Sequence, residues 1–152
     1  GDAAGAVLGR EVEVTVNAAD GAHPYLTLSG TSAEAGDDGE VGRGNRFGGL
    51  ITPSRPASVE ACAGKNPVGH VGKTYHATAH DIGEAALAEP GVDQVTVTLV
   101  SRIGHPVTVP HLVHVAVVGD VDDRHLAGIV DERLADWRGV RDRLLAGHYP
   151  LY

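Results

Sequence analysis

Two segments near the start of the chain alternate apolar and polar residues. In EVEVTVNA (11–18), Val12, Val14 and Val16 interleave with Glu11, Glu13 and Thr15. That is the period of a half-buried strand, with both glutamates on the solvated side. YLTLSGT (25–31) alternates in the same way after Asp20-Gly21, a turn dipeptide, so the two segments are expected to pair as a hairpin. From 32 to 56 the periodicity is lost in a Gly-, Pro- and Arg-rich stretch. It is longer than an ordinary connection, and such loops usually carry function.

Helical spacing begins at Ser58. The pattern predicts a short turn at 58–63 and a longer helix from Val68 to Ala88. QVTVTLVSR (94–102) and HLVHVAVVG (111–119) are rich in β-branched residues and read as strands. The segment 121–147 reads as one helix, capped by Asp122 or Asp123 and ended by Gly147. Leu126, Ile129, Val130, Leu134 and Trp137 then share one face. The order ββ–loop–α–ββ–α predicts an α+β fold, a mixed or antiparallel sheet with helices packed on one face. Residues 1–152 read as a single compact unit with no internal linker.

Composition narrows the function classes. The formal net charge of −8 disfavours a general nucleic-acid binder, which needs a basic face. No apolar run approaches the length of a membrane span, and no signal peptide is evident. Cys62 is the only cysteine, so no intrachain disulfide can form. Together these features suit a cytoplasmic protein. Aromatic residues make up only 4% of the chain, which leaves Val, Leu, Ala and Ile to fill the core.

Of the 12 cationic residues only Lys65 and Lys73 are lysine, and both fall in GKNPVGHVGK (64–73). This segment and GDDGEVGRGNR (36–46) combine glycines with cations. Glycine lets a backbone approach a ligand closely. Arg and Lys supply charge to phosphate oxygens, and the second segment lies at a predicted helix start, where free N–H groups favour an anion. A phosphate or other anion is the ligand class this composition fits; solvated turns are the alternative. A P-loop ending at Gly72-Lys73-Thr74 would need glycine at position 67, where Pro67 stands. His76, His80 and Glu84 recur at four-residue spacing, which zinc could use. Without a further ligand the pair reads as surface or capping histidines. His111 and His114 read as structural, and Cys62 as a small buried hydrophobe.

The run SGTSAEAGDDGEVGRGNRFGGLITPSRPASVEACAGKNPVGHVGKTYH (29–76) is similar to the archaeal-type S-adenosylmethionine synthetases, the methionine adenosyltransferases. It matches their G-T-S-A-E, G-D-D-G-x-V-G-R-G-N-R, G-L-I-T-P-x-R-P and A-G-K-N-P-V-x-H-V-G-K segments in register. The likeness continues more loosely through VSRIGHPV (100–107) to the C-terminus. It implies a part of the family's three-repeat fold. It also implies the joining of ATP and methionine, cleavage of the tripolyphosphate, and dependence on Mg²⁺ and K⁺. Active sites in this family lie between subunits, so a homo-oligomer or an N-terminal partner subunit is implied as well. By this resemblance Asp37 contacts methionine, while Arg43, Arg46, Lys65 and Lys73 face the polyphosphate, with Asp38, Asn66 and His70 close by. No metal ligand is assigned.

The sequence departs from the family in four respects. Family members are much longer. No His-Pro-Asp ATP motif is present, Phe47-Gly48 replaces Val-Asn, and His105 stands where lysine is usual. Two other readings follow from the short chain with its intact cationic motifs. One is a stand-alone relative acting on another phosphorylated or nucleotide-like small molecule. The other is a non-catalytic interaction module.

Overall fold

A computed structural model describes residues 2–15, 47–49, 53–56, 58 and 60–151. The chain divides into two units, Gly1–Glu34 and Ala35–Tyr152. In the first, a short helix α1 (Asp2–Leu8) stops at Gly9, whose φ of 63° is the left-handed conformation glycine adopts freely. This helix has no counterpart in the sequence reading. The strand expected over 11–18 is not formed at 11–15. Alternation gives a segment a strand-like face, but strand structure also needs a ladder partner. The remainder of that segment and its expected partner at 25–31 lie outside the described residues.

The second unit is built around α2 (Val71–Leu87). Its start falls three residues later than the periodicity suggests, because Asn66 and Pro67 form a turn first. The Val68 N–H donates to Asn66 Oδ1 at 2.8 Å, and the His70 N–H to the Asn66 carbonyl at 3.3 Å. Such an Asx turn offers the backbone an alternative to the helix. His70 then caps α2, accepting the Gly72 N–H on Nδ1 at 3.0 Å. The helix ends before Pro90-Gly91, where proline cannot continue it and Gly91 turns with φ 87°.

Strands β1 (Val92–Val100) and β2 (Leu112–Gly119) pair antiparallel, with Val95 opposite Val117, Val97 opposite Val115 and Leu99 opposite Val113. These six half-buried side chains form one face of the pair. It packs on α2, where Gly83 brings the helix within van der Waals reach of Val97. Gly119 is required at the strand end. A Cβ there would collide with the Gly91 carbonyl, which accepts the Asp120 N–H at 2.9 Å.

The C-terminal helix of the sequence reading is two helices, α3 (Asp123–Ala135) and α4 (Trp137–Leu145). Asp122 is the cap, accepting the His125 N–H at 2.9 Å, and Gly147 follows the end with φ 74°. The break at Asp136 has a local cause. Its carboxylate lies where a Cβ on residue 139 would be, a space only Gly139 leaves open, and from there it accepts Arg143 Nη1 at 3.0 Å. Leu126, Ile129, Val130, Leu134 and Trp137 are all half-buried, as their shared face predicts. Both helices pack on α2.

The result is an α+β layer, with an antiparallel pair of strands on one side of α2 and two helices on another. Ala77, Val140, Leu144 and Tyr149 form a buried cluster, with Phe47 and Leu151 packed against it. Ile82 and Val140 are almost fully buried, each contributing on the order of 2 kcal/mol of apolar transfer free energy. Among the described residues, no helix is long and apolar enough to cross a membrane.

Candidate functional site

Gly72, in the first turn of α2, is the hub of the described part of the site. Its N–H donates to His70 Nδ1, so that ring nitrogen is unprotonated. Its carbonyl lies 3.1 Å from His76 Nδ1, which must therefore carry a proton. The same carbonyl accepts the Cys62 thiol at 3.2 Å. The missing side chain matters too. A Cβ on Gly72 would stand 2.7 Å from Glu60 Oε1 and 3.0 Å from Lys65 Cε. Glu60 and Lys65 close over this gap as an ion pair of 3.0 Å.

Lys65 and Lys73 thus converge on one helix start, but in different environments. Lys65 is partly exposed and held by Glu60, whose carboxyl is lowered below the usual range mainly by that hydrogen bond. Lys73 is buried to 8% exposure, and no carboxylate among the described residues pairs with it. Burial is the main cause lowering its pKa, the Cys62 charge opposes, and Lys65 adds to the lowering. A buried cation without a carboxylate is an unusual expense in a fold, and an incoming anion would relieve it.

Cys62 is fully buried, and burial pushes its thiol pKa up against the pull of Lys65 and Lys73. It is therefore a packed thiol, as its composition-level reading has it, and not a nucleophile at neutral pH. His76 is half-buried with a lowered pKa, again mainly through burial. His80 belongs to an aromatic cluster, 5.3 Å from Phe47 and 6.1 Å from Tyr149 between ring centroids. His111 and His114 are exposed on or beside β2.

Of the residues singled out from the sequence, the structure brings Lys65, Asn66, His70 and Lys73 to the start of α2. Asn66 and His70 have structural duties there, in the turn and the cap. Each keeps free donors for a ligand: the Asn66 amide NH₂, and His70 Nε2–H in the tautomer its cap bond fixes. Asp37, Asp38, Arg43 and Arg46 lie outside the described residues. Glu60, Phe47 and Gly72 were missed. Glu60 lies five residues from Lys65, and no sequence periodicity links them.

An open pocket of about 390 Å³ lies between α2 and β1, lined among others by Ser58, Tyr75, His76 and Thr98. It shares only His76 with the Gly72 cluster. Among the described residues, no group of three His, Cys, Asp or Glu could hold a metal ion. The described donor set is cationic and amide-rich, which fits an anion and does not fit Mg²⁺ or K⁺.

The family model for S-adenosylmethionine synthetase matches residues 2–148. The chain is 44% identical over 146 residues to an S-adenosylmethionine synthase of Haloquadratum walsbyi, covering 90% of this chain and 36% of that protein. It is 48% identical over 149 residues to one from Halobacterium salinarum, covering 91% and 36%. It is 50% identical over 146 residues to one from Methanococcus aeolicus, covering 91% and 36%. The chain therefore spans little more than a third of the length of these relatives. A match along nearly its whole length, and a cationic cluster on the motif it shares with them, lead to one conclusion: the chain belongs to the S-adenosylmethionine synthetase family.

Proposed function

We propose that this chain supplies the polyphosphate- and methionine-binding part of a methionine adenosyltransferase, which makes S-adenosylmethionine from ATP and methionine. The observation that carries this reading is the convergence of Lys65 and buried Lys73 on the start of α2, beside His70 and Asn66. In the reaction, the methionine sulfur forms a bond to the adenosyl carbon as the carbon–oxygen bond to the triphosphate breaks. The electron pair and negative charge pass to the leaving oxygen. Fixed cations lower that barrier, because they stand ready before the charge develops. Lys73 is held rigidly in the helix, with its N–H donating to the His70 carbonyl at 2.9 Å. Lys65 must first leave Glu60.

Arg43 and Arg46 join the lysines on the polyphosphate in this reading, and Asp37 and Asp38 serve the methionine side. Mg²⁺ and K⁺ would neutralise polyphosphate charge when bound; no step is assigned to them here, since the described residues do not form their site. The ATP half of the site comes from an N-terminal part of the enzyme, in the same polypeptide or in a partner subunit, within a homo-oligomer.

Titration calorimetry of this chain with tripolyphosphate tests the anion site. Binding is expected, and it is expected to be lost in Lys65→Ala and Lys73→Ala. Absence of binding by the unaltered chain overturns the reading.

A further inference from the structure

The C-terminal segment after α4 has no part in the site just described, yet it touches the chain where that site's arginine loop ends. Tyr149 is buried at the end of the core. Its ring centroid lies 6.0 Å from that of Phe47. The Pro150 carbonyl accepts the Gly48 N–H at 2.7 Å, a short backbone bond spanning about a hundred residues of sequence. Leu151 packs on the same cluster as Phe47. On its other side Phe47 meets the site. Its ring stacks 6.3 Å from His76 and lies 5.3 Å from His80, and its backbone hydrogen-bonds toward Cys62. Phe47 is thus wedged between the tail and the floor of the Gly72 cluster.

The tail is itself held. Tyr149 Oη donates to Asp81 Oδ2 at 2.6 Å and accepts Arg143 Nε at 2.9 Å. Arg143 Nη2 donates to the same Asp81 oxygen at 2.8 Å, and Nη1 to Asp136 at 3.0 Å. An apolar tail alone would not need so many directed bonds. They fix the tail relative to α2, the helix that carries Lys73.

We propose that Tyr149–Leu151 is a positioning element for the anion site: it clamps Phe47-Gly48 onto α2 and so fixes the anchor point from which Arg43 and Arg46 serve the polyphosphate. Arg46 is bonded directly to Phe47, so its Cα lies within about 3.8 Å of a clamped residue. Fixing that anchor before binding removes ordering cost that would otherwise weaken affinity. The inference rests on the anion-site reading above.

The test compares the 152-residue chain, a chain ending at Tyr149, Leu151→Ala and Lys73→Ala. Three quantities are measured: amide exchange at Gly48, tripolyphosphate affinity, and the salt dependence of that affinity. In the chain ending at Tyr149, Gly48 exchange should accelerate at least tenfold. Affinity should fall about tenfold, the loss expected when one or two arginine side chains are no longer pre-ordered. The salt dependence should flatten, because fewer cations engage the anion; general destabilisation would not change it. Leu151→Ala, which keeps the Pro150 carbonyl and guards against a truncated chain that fails to fold, should show the same changes more weakly. Lys73→Ala should lose affinity while Gly48 stays protected. Unchanged Gly48 exchange in the truncated chain overturns the clamp. Accelerated exchange with unchanged affinity and salt dependence overturns the positioning role. If the unaltered chain binds no tripolyphosphate, the anion reading fails and takes the positioning role with it, whatever the exchange data show.

Discussion

The Tyr149 hydroxyl donates to Asp81 Oδ2 across 2.6 Å, joining the C-terminal segment to the middle of α2. The same hydroxyl accepts Arg143 Nε, so it is satisfied on both sides. Tyr149→Phe keeps the ring in the core and removes both bonds, leaving Arg143 Nε without its acceptor. A stability loss of about 1–3 kcal/mol is expected in urea unfolding at neutral pH. A loss within a few tenths would mean that Arg143 and Asp81 satisfy each other without the tyrosine.

That hydroxyl also predicts a pH dependence. Burial, and secondarily the bond to Asp81, push its pKa up from 10 to about 12. A raised folded-state pKa means that folding favours the protonated phenol. The stabilisation is fully present below the unfolded value and is lost as pH rises toward the folded one. Thermal stability should therefore fall between roughly pH 10 and 12, and that component should vanish in Tyr149→Phe. An identical alkaline decline in both proteins would assign it to other groups.

Lys73 separates stability from binding. Burial penalises its charge, and no carboxylate among the described residues offsets that penalty. Lys73→Met, similar in shape and uncharged, should melt at the same temperature or higher. Its tripolyphosphate affinity should drop at least about tenfold, the loss of one strong charge contact. A marked fall in melting temperature would show instead that the ammonium is structurally paired.

Glu60 competes with the anion for Lys65. The exposed pair should be worth about 0.2–1 kcal/mol. Glu60→Gln should therefore tighten tripolyphosphate binding by up to about fivefold. Acidification through the lowered Glu60 pKa should act in the same direction. Weaker binding in Glu60→Gln would indicate that the carboxylate orients Lys65 for the ligand and does not withhold it.

Cys62 should resist a thiol reagent such as dithionitrobenzoate in the folded chain at pH 8, because the sulfur is buried and its pKa raised. It should react fully in denaturant. Rapid labelling of the native protein would show that the Gly72 cluster opens readily.

The two strands, the long helix and the caps at Asp122 and Gly147 were legible in the sequence, because each depends on residues within a turn or a ladder's width. So was the position of the candidate site. Both lysines fall in one ten-residue stretch, and the family likeness runs through it. The sequence pattern failed where a distant side chain decided the local outcome. The split of the last helix at Asp136 depends on Arg143 drawing its carboxylate over Gly139, and helical periodicity passes through that point unchanged.

By itself, then, the sequence determined which residues are cationic, where a helix begins near them, and to which family they belong. Only the tertiary structure decided how the two lysines differ: Lys65 is held by Glu60, and Lys73 is buried beside Cys62. It also decided that Tyr149 and Pro150 close on Phe47 and Gly48. Burial and long-range hydrogen bonds join residues far apart in the chain, and no local period encodes them.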